Sequence, residues 1–247
     1  MNLPNVVSPD QWFAERKELL AREKEFTKLR DQLNADRRRL PMVRVEKDYV
    51  FEGPDGPVRL RDMFGDSRQL VIQHVMFDPD WEAACSGCTA GVDEISDALL
   101  RHIESRDTAF ALVARAPYDK FRAYADSRGW TVPLYSSFGS DFNYDFHVTL
   151  DSSVTPVVFN YRNEEELKAA GMGWATEGGP SEQPGMSSFL RDGDEVYHTY
   201  STFARGTEYF GSAYSLLDMT ALGRQEAWEE PSGRVEAPHE ADPSFTE

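Results

Sequence analysis

Apolar side chains recur along residues 8–41 at a spacing that defines one long helix. Trp12, Leu19, Phe26 and Leu33 stand seven residues apart, with Phe13, Leu20 and Leu29 beside them on an otherwise charged segment. That is an amphipathic stripe. Ser8-Pro9-Asp10-Gln11 supplies an N-cap serine, a proline at the first helical position and a glutamine placed for a capping box. Arg37-Arg38-Arg39 sits at the other end, where cations suit the helix dipole, and Pro41 stops the helix. Two readings of the stripe stand. It docks on the chain's own domain, or it is a subunit contact that makes a homodimer, since a seven-residue period also suits helix pairing.

The pattern then changes period. Tyr49-Val50-Phe51 and Val58-Arg59-Leu60 flank Gly53-Pro54-Asp55-Gly56-Pro57, which predicts a β-hairpin. Residues 61–66 make a helical turn. Leu70–Phe77 is an almost unbroken apolar run, as expected of a strand buried on both faces. Asp78-Pro79-Asp80-Trp81 breaks it, and Val92, Ile95, Leu99 and Ile103 form a helical stripe further on. Thr108–Val113 reads as a second buried strand, Tyr118–Ser127 as a helix with Phe121 and Tyr124 inward, and Thr131–Tyr135 as a short strand. The order β-α-β-α-β implies parallel strands with helical crossovers.

Beyond residue 136 the pattern is weaker. Val154–Tyr161 is expected as a strand, Glu164–Ala170 as a helix, and Gly171–Gly185, rich in Gly, Pro and Ser, as a mobile loop. Ser187–Arg191 and Val196–Tyr200 flank Asp192-Gly193-Asp194, an antiparallel hairpin signal. Gly206–Leu217 is expected as a closing helix. From Gln225 onward there are seven acids, one arginine and three prolines, which predicts a disordered or loosely attached tail. The organisation is an N-terminal helical arm over 1–41, a domain over 42–224 with an insertion at about 136–185, and the tail over 225–247.

Charge narrows the partners. Lys plus Arg number 26 against 43 Asp plus Glu, a net charge of -17. A field of that sign repels phosphate backbones and anionic lipid, so neither nucleic acid nor a membrane surface is an expected partner. No stretch approaches about 20 consecutive apolar residues. The first residues lack the basic-then-apolar order of a signal segment. A soluble cytoplasmic protein is the expectation.

The two cysteines, Cys85 and Cys88, are the most informative feature. Two thiols in 247 residues are not a disulfide framework. Trp81-Glu82-Ala83-Ala84-Cys85-Ser86-Gly87-Cys88 follows a buried strand and precedes a helix. A cysteine at the first turn of a helix meets unpaired N–H groups and the positive end of the dipole, and both favour thiolate. The leading assignment is Cys85 as nucleophile and Cys88 as resolving thiol, cycling between dithiol and disulfide. Other readings of the pair are a structural disulfide, a zinc site, a Cu(I) site completed by one histidine, and a former redox motif now used only for binding. His74, His102, His147, His198 and His239 show no pairing at metal-ligand spacing. No metal and no bound cofactor is assigned.

Strand, Trp-x-x-x-Cys-x-x-Cys, helix, β-α-β order and a late hairpin together resemble the thioredoxin fold. Several blocks match more narrowly: Glu23–Asp31, Arg37-Arg38-Arg39-Leu40-Pro41, Ala114-Arg115-Ala116-Pro117, Ser136–Phe146 and His198–Gly206. They resemble bacterial thioredoxin-like proteins classed as a domain of unknown function and predicted to be dithiol-disulfide oxidoreductases. The resemblance covers roughly residues 5–225. It implies an α/β fold, with a central mixed sheet flanked by helices. It also implies a disulfide-containing protein or a small-molecule thiol or disulfide as partner. Thioredoxins place a proline just before the strand that enters the late hairpin. Counting back from Asp192-Gly193 puts Gly185-Met186 there, with Pro184 slightly early; a missing proline would favour a smaller or different acceptor over a peptide. The proline and threonine that precede a peroxiredoxin's cysteine are absent. Their places hold Asp78 and Glu82 counted from Cys85, and Trp81 and Cys85 counted from Cys88.

Six further residues are candidates for substrate binding or support. Arg115 ends the strand beside the one leading to Cys85, on the sheet edge where ligands bind. It would stabilise a thiolate or an anionic substrate, or form a salt bridge. Trp81 would cover the thiols or pack the loop. Phe142 and Tyr144 belong to an aromatic segment that would wall a pocket or form an extra lobe. Tyr200 and Arg205 sit where the last strand meets the closing helix and would support the site or belong to a buried hydrogen-bond network. The leading function is a thiol-disulfide oxidoreductase. The alternatives are a non-catalytic binding module and a copper-handling protein.

Overall fold

The computed structural model describes residues 6–177, 179–207, 216–217, 220, 222–223, 225, 227, 229–230 and 232–238. Helix α1 (Pro9–Arg38) is continuous, and the Ser8 hydroxyl caps it by accepting from the Gln11 N–H at 3.2 Å. Gln11 reaches forward to Glu15 instead of back, so only half of the expected capping box forms. The stripe is not docked. Trp12, Phe13, Leu19, Leu20, Phe26, Leu29 and Leu33 are exposed, and the helix buries only Asn34, Ala35 and Arg38. The own-domain reading therefore fails for all but the C-terminal end.

The strands are β1 (Val43–Arg44), β2 (Val50–Gly53), β3 (Gly56–Arg59), β4 (Gln69–His74), β5 (Thr108–Ala114), β6 (Leu134–Ser136), β7 (Thr149–Leu150), β8 (Ser181–Glu182), β9 (Gly185–Asp192) and β10 (Glu195–Phe203). Eight of them, as described, form one sheet in the order β1-β10-β9-β4-β5-β6-β2-β3. β4, β5 and β6 run parallel, and β9 and β10 add to β4 antiparallel. Every residue of β4 is buried, as its apolar run requires.

The helices are α2 (Ser86–Asp93), α3 (Asp97–Glu104), α4 (Tyr118–Arg128), α5 (Phe142–Asp145) and α6 (Glu164–Ala169). One core lies on the α2–α3–α4 side, built on Val71, Val75, Phe110, Leu112 and Phe121. The other face packs Leu70, Ile72, Phe142, Phe146 and Phe189 with a 3-10 turn at Leu60–Phe64. The stripe from Val92 to Ile103 is split between two helices because Ser96 caps α3, its hydroxyl accepting from the Leu99 N–H at 3.2 Å.

Three expectations are corrected. Val154–Tyr161 is not a strand. It turns through left-handed Asn160 and Tyr161 and makes only an isolated bridge, Phe159 to Arg162. Its Val157 and Phe159 bury against Leu150, Leu167 and Phe203 in a small lobe. Gly171–Gly185 is not simply loop, since it holds a 3-10 turn at Gly173–Ala175 and strand β8, paired with β7. The tail, where described, is attached. Buried Arg38 pairs with buried Glu229 at 3.1 Å and donates to the Glu230 carbonyl at 2.7 Å, and the Leu222 N–H donates to the Gln69 side chain at 2.9 Å. Of the closing helix expected over Gly206–Leu217, the first two residues end a 3-10 turn, Ala204–Thr207, and Leu216 and Leu217 are helical and buried. Residues 208–215 and His239 lie outside the described residues.

Candidate functional site

β4 ends at the sheet edge where parallel strands deliver their loops, and that loop carries both thiols. Cys85 is the N-cap residue of α2 and is half-buried; Cys88, one turn on, is buried. The two stand 4.2 Å apart. The Met76 carbonyl accepts from the Cys85 N–H at 2.9 Å, and the Met76 N–H, on the preceding peptide, favours the thiolate of Cys88. Burial pushes the Cys88 thiol up to about 11, partly offset by that N–H, with Cys85 raising it further.

Both sulfurs border a cavity of about 570 Å³. Its described lining is mainly apolar, with Met76, Ile95, Leu99, Phe110, Met186 and Leu216, and its polar residues are Gln73, His74, Glu94 and Thr207. The break between α2 and α3 turns Ile95 and Leu99 towards it. Pro184 also lines it, directly before β9. The count from the hairpin turn set Pro184 slightly early because β9 begins at Gly185, two residues before the apolar run it was read from. The proline's place is filled, so a missing proline no longer favours a smaller acceptor.

The other candidates fall in different places. Arg115 is the clasp between two loops, donating to Glu182 at 2.6 Å and to Asp78. The salt-bridge alternative describes it, with the guanidinium held between two carboxylates. Glu182 is buried and also accepts from Thr149 at 3.0 Å; burial raises its pKa, and Arg115 opposes that shift. Tyr144 is half-buried within electrostatic reach of Arg115. Neither Trp81 nor Tyr144 is among the described residues lining the thiol cavity. Phe142 does not wall the pocket. It is fully buried on the opposite face of the sheet, edge-on to Phe51 at 4.8 Å and Tyr49 at 5.2 Å. Tyr200 packs against the core that also holds the cysteines but does not line the cavity as described, and the Arg37 guanidinium stands 4.7 Å above its ring. Of Arg205 only the backbone is described, in the turn after β10. Among the described residues no three His, Cys, Asp or Glu side chains gather to hold a metal, so none of them completes a copper site with the two thiols. His74 faces away from the thiols, its ring 5.7 Å from that of Phe142. The Met76 backbone and Glu182 were missed by sequence reasoning and left no signal in it, whereas Pro184 was noted but placed slightly early.

Three parallel strands with helical crossovers, an antiparallel pair added to the first of them, and a Cys-x-x-Cys at that strand's end define a thioredoxin-like protein. The chain belongs to the family described as bacterial protein of unknown function (DUF899), whose model matches residues 1–240. No curated protein matches. Solved structures similar in chain path include peroxiredoxin Q of Xanthomonas campestris, 13% identical over 66% of this chain and 87% of that one, with a TM-score of 0.43. The peroxidoxin BcpB of Mycobacterium tuberculosis is 15% identical over 73% of this chain and 94% of that one, with a TM-score of 0.43. These likenesses carry no chemistry across, and the residue places before either cysteine differ from a peroxiredoxin's. No described helix is long and apolar enough to cross a membrane.

Proposed function

We propose that the protein is a thiol-disulfide oxidoreductase, with Cys85 as nucleophile and Cys88 as resolving thiol. One observation carries the reading: a half-buried cysteine opens a helix beside a cavity, and a second lies buried behind it. The positive end of the α2 dipole favours negative charge at that place. The Cys85 thiolate attacks one sulfur of a substrate disulfide, forming a mixed disulfide and expelling the other half as thiolate. Cys88 then loses its proton and attacks the Cys85 sulfur. The Cys85–Cys88 bond forms, the second substrate thiol leaves, and two electrons have passed from protein to substrate. An external dithiol restores the starting state.

Mass spectrometry of the reduced protein and two variants after mixing with a disulfide tests this. Wild type should gain an internal disulfide and no adduct. Cys88→Ser should accumulate a stable mixed disulfide at Cys85. Cys85→Ser should stay unmodified on the same time scale. Adducts forming equally at either cysteine would overturn the assignment.

A further inference from the structure

Resting on the oxidoreductase reading, we infer that the substrate is a small, electrically neutral disulfide with an aromatic or branched aliphatic substituent. The cavity takes up that substituent beside the Cys85 sulfur. Its volume, about 570 Å³, suits a small organic molecule. Ile95, Leu99, Phe110 and Met186 offer it apolar surface.

The charges point the same way. No lysine or arginine lines the cavity among its described residues, and Glu94 does. Arg115, the cation at the end of the neighbouring strand, is already clasped by Asp78 and Glu182. Among the described residues, an anionic disulfide would meet a carboxylate and no lysine or arginine, on a chain of net charge -17.

α2 itself keeps the space open. Gly87 and Gly91 lie one turn apart, both exposed and both lining the cavity. A Cβ at Gly91 would come within 3.8 Å of the Gln73 amide, and one at Gly87 within 3.9 Å of the Cys85 sulfur. Glycine is a poorer helix former than alanine. Neither has a positive φ that would require glycine. Their evident effect is to leave the cavity-facing surface of α2 without side chains.

The test is a single-turnover rate for the reduced full-length protein with three probes. They are dithiodipyridine (neutral, aromatic), hydroxyethyl disulfide (neutral, polar) and oxidised glutathione (anionic). Each rate is divided by that of the same probe with free cysteine. The expected result is a normalised preference of about tenfold or more for dithiodipyridine over both others. Gly91→Leu, which favours the helix while filling the space, should pull that preference towards parity, as should Leu99→Gln. Equal normalised rates, or a preference untouched by both variants, would overturn the substrate class and leave the oxidoreductase intact. If no probe yields the Cys85–Cys88 disulfide, the oxidoreductase reading falls and this inference with it.

Discussion

His74 sits at the last position of β4 with its ring inside the aromatic core, 2% exposed, and its Nε2 2.8 Å from the Ser187 hydroxyl. Ser187 continues to Ser201 at 2.8 Å and Ser201 to His198 at 2.7 Å. Burial, and secondarily the neighbouring His198, lowers the His74 pKa to about 3. The folded chain therefore holds this ring neutral, while the unfolded chain protonates it near its ordinary value of 6.5. Stability from this group is complete above the unfolded value and is lost as pH falls towards the folded one. Between about pH 7.5 and about pH 5 the folded ring takes up almost no proton and the unfolded ring fills. The loss is about 2 kcal/mol for one histidine. The assay is urea unfolding of wild type and His74→Gln across that range. Glutamine keeps a hydrogen-bonding side chain near Ser187 but cannot titrate. Burial also lowers His198 and His147, but both proteins share those groups. The stability difference between the two proteins should shrink by about 2 kcal/mol on acidification. Parallel profiles would refute the claim that His74 is buried and neutral.

Closure of the mixed disulfide needs the Cys88 thiolate. Its rate should rise about tenfold per pH unit from neutrality towards the raised Cys88 value, as read by stopped-flow release of the second thiol; a flat profile would contradict the burial. Arg115→Met leaves the Glu182 carboxylate buried without its cation and should cost about 3–5 kcal/mol in urea unfolding, partly recovered by adding Glu182→Gln. Arg38→Ala removes the buried partner of Glu229 and should expose the junction after α1 to limited proteolysis, with a stability loss of similar size. Gly53→Ala would put a Cβ 2.9 Å from Val58 and 3.1 Å from Tyr135, so it should lower the thermal midpoint, whereas Gly129→Ala meets no such neighbour and should show only backbone strain.

The framework was legible where local chemistry and burial agree. Leu70–Phe77 could only be a strand sealed on both sides, and the place of Cys85 and Cys88 followed from it. Periodicity alone says which face of a segment is apolar, not what covers it. The spacing over residues 8–41 was therefore read correctly as one long helix, and the docking reading of its apolar positions failed. Phe142 shows the same gap, since an aromatic in a polar segment does not announce which side of the sheet it enters. Val157 and Phe159 imitate a strand because burial in a turn-built lobe leaves the same apolar spacing. Glu182 gave no sign, because its burial depends on an arginine 67 positions away. The tail's acidic composition hid the buried Glu229.

Equilibration of the reduced protein with glutathione redox buffers, followed by acid trapping and mass analysis of each state, bears most directly on the two sulfurs. The expected result is one reversible two-electron transition between the dithiol and the Cys85–Cys88 disulfide, its ratio moving tenfold for about every 30 mV. A protein that takes glutathione separately on each cysteine, or stays a dithiol throughout the range, would contradict the redox role.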